Sequence, residues 1–197
     1  MINATNEYHI LRHYQTVSDK YTASLINKPF FYYDHNKESF IKDQINIQDL
    51  QSALASIGTK FSSNIPGKNT PRELLKLIES HFETLKQSDQ IKWQQEQDYQ
   101  FTSFIIEYSQ PIGNINCLSL ESLTMDQKAK VKQLTRSQCK GESGILVNTI
   151  QGIATKTTNK ICVQITRSND LPFMFVSAYP YCNLPSDLSL SELVFVI

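Results

Sequence analysis

Long apolar runs are missing from this sequence, and none reaches the roughly 18 residues that a membrane-spanning helix needs, so no membrane span is expected. A surplus of either charge is missing too. Lys and Arg number 19, Asp and Glu also 19, which removes the overall polyelectrolyte signature of a dedicated nucleic-acid binder. The opening "MINATNEYHILRHY" has no positive cluster leading into an apolar core, so no secretory signal is read. The expected location is the cytoplasm, or outside it by a route that reads no such signal. Repeats and low-complexity linkers are lacking as well.

Paired metal ligands are another absence. The four cysteines (Cys117, Cys139, Cys162, Cys182) stand far apart, with neither knuckle nor redox spacing. Without an export signal they read as free thiols. The four histidines (His9, His13, His35, His81) all lie upstream of the cysteines. His9 and His13 are four apart and fall on one face of a helix, but no second pair completes a site. No metal and no other cofactor is expected. Two functional motifs come close and fail. "IPGKNT" has Gly67-Lys68 but Ser62 and Asn69 where a phosphate-binding loop needs Gly and Ser or Thr. "GESG" places Gly144 directly after Ser143, one residue too early for a hydrolase elbow. Cys139 has no nearby histidine to activate it.

What is present is a change of pattern near residue 98. The first part reads as mostly helical. Residues 5–26 are expected as helix, and "KPFFYYDHNK" (28–37) breaks it with an aromatic cluster that plugs the core. Ile47, Leu50, Leu54 and Ile57 recur at helical spacing, with Gly58 at the capping position. "SSNIPGKNT" (62–70) is a loop. It ends in Thr70, Pro71 and Glu73, a capping box with proline at the first helical position. The helix over 71–87 turns Leu74, Leu75, Ile78 and Phe82 to one side. His81 falls on that apolar side.

The second part alternates strands with turns. "YQFTSFIIEYS" (99–109) is rich in β-branched and aromatic residues. Thr124 and Gln127 cap a helix expected to run to about Arg136, with Lys128, Lys132 and Arg136 as a basic stripe. Residues 145–152, 160–168, 172–180 and 192–197 are then expected as strands in an antiparallel sheet. The layout is α+β: a helical lobe over 1–98, then a β-α-β-β-β unit over 99–197 with a sheet of four to five strands. Between Thr124 and Ser168 cations exceed acids by six, a local imbalance compatible with an anionic partner.

The candidate site arises from joining two stretches. "ATKTTNK" (154–160) is a polar run at a strand start. Ser177 and Tyr179 share a face near the end of "FVSAYP", because residues two apart on a strand point the same way. If 160–167 and 173–179 pair as a hairpin, Ser177 and Tyr179 return toward Thr157 to Lys160.

Residues 144–180, "GILVNTIQGIATKTTNKICVQITRSNDLPFMFVSAYP", run from a strand through a Thr/Asn turn into a hairpin ending in S-A-Y-P. This order resembles the C-terminal half of bacterial ribonuclease toxin domains of the barnase–EndoU–colicin–RelE-like group. The resemblance covers about a fifth of the chain. It implies a metal-independent endoribonuclease with helices packed on a four-stranded antiparallel sheet. RNA would be the substrate, and a neutralising immunity or antitoxin protein the partner. Carried onto this sequence by position, it points to Thr158, Ser177 and Tyr179. For ribonuclease chemistry the expected roles are Thr158 and Ser177 for positioning, Tyr179 or His81 for proton transfer, and Lys156, Lys160, Arg136, Lys132 and Arg167 for phosphate. The alternative expectation is a non-catalytic effector or interaction protein that docks another protein through its sheet or aromatic surface.

Overall fold

The computed structural model describes residues 1–34, 37–62, 69–136, 140, 144–184 and 188–197. Most of the expected loop over 62–70, Cys139, His35 and the first three residues of the "GESG" turn lie outside these residues. The elements in chain order are α1 (Ala4–Leu11), α2 (Asp19–Leu25), β1 (Pro29–Asp34), β2 (Ser39–Gln44), α3 (Ile47–Leu54), β3 (Lys60–Phe61) and α4 (Pro71–Gln87). Then come β4 (Gln94–Glu96), β5 (Tyr99–Glu107), β6 (Gly113–Ile115), β7 (Cys117–Ser119), α5 (Met125–Lys128), β8 (Lys132–Arg136) and β9 (Ile145–Ile150). The last are β10 (Lys156–Thr158), β11 (Lys160–Ser168), β12 (Phe175–Pro180) and β13 (Leu193–Val196). The fold class is α+β, as the sequence implies.

Local chemistry sets the helix starts. The Asn3, Ser18, Asn46 and Thr70 side chains each accept a backbone N–H in the first turn of α1 to α4, satisfying donors with no partner inside the helix. The single helix expected over 5–26 is two short ones, because Ser18 opens a second cap. Residues 28–37 do more than break a helix. Most of them form a hairpin in which Phe30 pairs with Asp43 and Tyr33 with Phe40, and Phe30 is fully buried.

The helix expected from Thr124 to about Arg136 ends at Lys128. The capping box forms, but Val131 turns into a core with Leu123, Ile150, Val194 and Val196, and 132–136 pair with β9. Tertiary pairing overrides the i, i+4 spacing of the cations, so Lys128, Lys132 and Arg136 form no helical stripe. The expected single antiparallel sheet is divided as well. One sheet has the order β12-β11-β5-β4 and is antiparallel throughout. Residues 145–150 and 193–196 belong to another, β7-β13-β9-β8, in which β13 runs parallel to β9.

The β12-β11-β5-β4 sheet positions the candidate site. Ile161, Val163, Ile165, Val176 and Ala178 point into one core shared with α1 and α4. That core draws residues from both sides of position 98. The opposite face carries Cys162, Gln164 and Thr166 of β11 beside Tyr179, Ser177 and Phe175 of β12. Strand β12 lies at the sheet edge, and α1 covers it. Asn6 Nδ2 donates to the Met174 carbonyl at 2.9 Å, and Val176 N–H donates to Asn6 Oδ1 at 3.0 Å. Asn6 is fully buried and stands in for the missing neighbour strand, which removes an open edge.

A candidate anion-handling site and aromatic cleft

Docking α1 against β12 brings two histidines onto the face of Ser177 and Tyr179. His9 Nε2 lies 3.3 Å from Ser177 Oγ, and the ring of His9 meets Phe175 edge-on with centroids 4.6 Å apart. Arg12 Nη2 is 2.9 Å from the same His9 Nε2. An arginine always donates, so Nε2 is the acceptor and the imidazole is neutral. Burial first, then the Arg12 guanidinium, hold the basicity of His9 well below its ordinary range. Neutral imidazole beside a hydroxyl is a proton acceptor in place.

One turn further on, the ring of His13 lies 5.7 Å from that of Tyr179 and its Nδ1 is 3.0 Å from the Thr59 carbonyl. Burial first, then Arg12, bring His13 from 6.5 down to about 3, with Lys60 and Arg136 adding to the effect. The carbonyl of Thr59 acts the other way but is outweighed. Lys60 donates to the carbonyls of Arg12, Tyr14 and Leu54 at 2.6, 3.4 and 3.0 Å. Burial, then Arg136 and Arg12, bring it down to about 8. Tyr179 is hydrogen-bonded to Cys162. Burial, then that bond, keep its phenol protonated far above neutral pH. Arg12, Lys60 and Arg136 thus converge on two neutral histidines.

His9 also closes the inner end of a cleft of about 600 Å³ between the β1–β2 hairpin and this sheet face. Phe31, Tyr33, Phe40, Tyr99 and Phe175 line it, together with Glu38, Asp98 and Asp170. Lys140 ties down its rim: Nζ is 2.6 Å from Asp43 Oδ2 on β2 and 5.9 Å above the Tyr32 ring.

The sequence-derived residues divide between places. Ser177 and Tyr179 share the site, as their spacing implies. The hairpin forms, with Cys162 opposite Tyr179 and Gln164 opposite Ser177. Lys160 stands on the same face, where its Nζ is 3.6 Å from Glu107. Arg136 arrives from β8, close enough to act on His13. Thr158 belongs to β10, which pairs with β6 in a different sheet, and its hydroxyl accepts from Lys160 N–H at 3.2 Å. Lys156 and Lys132 are exposed on β10 and β8, in sheets other than that of Ser177. Arg167 stacks 4.1 Å over Trp93 on the opposite face. His81 also lies across the sheet, its ring 5.5 Å from Phe104.

The residues that sequence reasoning missed are His9, Arg12 and His13. The signal was present in "HILRHY": two histidines four apart with an arginine between them. That spacing by itself suggests only a metal-binding pair. Among the described residues no group of three or more ligating side chains could hold a metal ion. Compared with protein-family models, curated proteins and solved structures, the chain matches none.

Proposed function

We propose that the protein is a metal-independent endoribonuclease toxin that works at the His9–Ser177–Tyr179 face. The observation that carries this is His9 Nε2, held neutral and placed 3.3 Å from Ser177 Oγ and 2.9 Å from the Arg12 guanidinium. In this reading Arg12 turns from Nε2 to the bound phosphate, and the freed Nε2 lone pair takes the proton from a ribose 2′-hydroxyl. The 2′-oxygen bonds to phosphorus and the P–O5′ bond breaks, giving a 2′,3′-cyclic phosphate. The protonated Tyr179 phenol supplies the proton for the departing 5′-oxygen. Arg12 and Arg136 stabilise the charge that builds on the phosphate oxygens, and Ser177 positions the nucleophile. The aromatic cleft beside His9 suits an unstacked base, since single-stranded RNA is read largely by stacking. His9 replaces His81 as the base, and Thr158 acts only in shaping the start of β11.

A second reading is a non-catalytic interaction protein that docks its partner in the aromatic cleft. Glu38, Asp98 and Asp170 in the lining favour it, because carboxylates repel a phosphate backbone. Inducible expression in a bacterium, with total RNA run on a gel, separates the two. The expected result is RNA fragmentation and growth arrest with the native chain. His9→Gln and Ser177→Ala each reduce cleavage at least a hundredfold, and His81→Gln leaves it unchanged. Intact RNA and normal growth with the folded native chain would overturn the ribonuclease reading in favour of the second.

A further inference from the structure

Among the described residues, the β7-β13-β9-β8 sheet ends at β8 with an unpaired edge. Strand β8 closes the order at one side, and no described strand pairs with its outer edge. Lys132, Gln133, Leu134 and Thr135 are all exposed. The contrast is with β12, whose edge is covered by α1 through Asn6. Exposed edges are templates for another strand, and folded proteins usually cover them, shorten them or charge them. Here lysine supplies the charge, but the protection is incomplete. Leu134 is 42% exposed in the middle of the strand, opposite Val147, and Leu146, opposite Thr135 on the other face, is 62% exposed.

We propose that the outer edge of β8 is a docking site for an extended, acidic segment of a partner protein, which adds to the sheet as a fifth strand. Backbone pairing supplies the affinity in such strand addition, and alternate side chains supply the selectivity. Lys132 and Leu134 lie two apart on one face, paired with Thr149 and Val147. A matching segment therefore carries an acid and an apolar side chain two residues apart, on that face. Exposed Lys128 and Lys130 just before the strand extend the basic rim. Charge also excludes the commonest competitor. A second copy paired antiparallel about Leu134 would set Lys132 against Arg136, and like charges directly opposite destabilise a strand pair. This inference stands apart from the cleft and does not rest on the ribonuclease reading.

The test uses the full chain and a labelled synthetic peptide, Thr-Glu-Thr-Leu-Thr-Glu-Val, capped at both ends. Fluorescence anisotropy is expected to show saturable binding that weakens at least fivefold between low and physiological salt. N-methylation at alternate backbone nitrogens abolishes it, and so does Lys132→Glu with Leu134→Glu. Hydrogen exchange on the native chain gives a readout that needs no variant: peptide addition slows exchange at the β8 amides at least tenfold. Equal binding by the N-methylated peptide would mean mere charge adsorption and would overturn the proposal. So would no binding at millimolar peptide, or displacement of the peptide from β8 by single-stranded RNA.

Discussion

At the scale of single residues, His9 on α1 and His13 just past its end decide most. His9 and His13 are neutral because burial and the adjacent Arg12 disfavour the imidazolium. This links stability to pH. The unfolded chain protonates His13 near 6.5, whereas the folded chain holds it off to about 3. The stability that His13 contributes is therefore complete above about pH 6.5 and is lost progressively as pH falls toward 3. Between pH 7 and pH 4 its share of the loss is about 3 kcal/mol, at roughly 1.4 kcal/mol per pH unit across the lowered range. Urea denaturation across that range is expected to show a steep slope for the native chain. His13→Gln should flatten it, and an unchanged slope would mean that His13 is solvated. On the ribonuclease reading, cleavage is expected to fall only where His9 itself becomes protonated, well under the ordinary histidine range. His9→Gln should remove this pH dependence together with the activity.

At the scale of elements, the joint between α1 and β12 builds the site. Asn6 makes hydrogen bonds to Met174 just before β12, to Val176 on it, and to the Met1 carbonyl at 2.8 Å. Removing it leaves a buried N–H and a buried C=O without partners, and each such loss costs about 1–3 kcal/mol. Asn6→Ala is expected to lower unfolding free energy by about 2–4 kcal/mol, read from urea midpoints. It should also reduce activity in whatever fraction still folds, because α1 carries His9 and Arg12 to Ser177. Asn6→Asp is the closer probe, since it keeps the acceptor for Val176 and loses the donor to Met174. A variant as stable as the native chain would show that α1 is held on β12 by apolar contact alone.

At the scale of the whole molecule, three elements crowd at Gly113. A side-chain carbon there would lie 2.6 Å from Pro180 Cγ and 2.8 Å from the Lys60 carbonyl. Gly113 joins β6 to β3 and β10 in register with Phe61 and Thr158, so the end of β12 is packed onto a second sheet. Gly113→Ala should cost about 1–3 kcal/mol by overpacking and shift the thermal midpoint down by several degrees. The shared core makes a broader prediction. Tyr8, Ile10, Leu74 and Phe82 bury against Ile106, Val163 and Val176. Fragments 1–98 and 99–197 expressed apart should each lack a cooperative thermal transition by circular dichroism, and mixing them should restore one. Two independently cooperative fragments would refute a common core.

The sequence by itself determined the elements whose signals are local. The α4 boundaries follow from Thr70 and Pro71, and the buried face follows from the spacing of Leu74, Ile78 and Phe82. The β11–β12 hairpin follows from β-branched runs around a turn, and with it the shared face of Ser177 and Tyr179. Only the tertiary structure decided the rest. Lys132 and Arg136 belong to a strand because β9 offers pairing that helical spacing cannot see. Strands 145–150 and 193–196 left the main sheet because register is set by distant partners. His81 fell on the wrong side of the sheet, because one helix face says nothing about which sheet face it meets. His9, Arg12 and His13 became candidates only when Asn6 fastened α1 to an edge strand some 170 residues away in sequence. Local hydrogen bonding and periodicity are encoded within a few residues. A site assembled across an edge depends on packing between segments that are far apart along the chain.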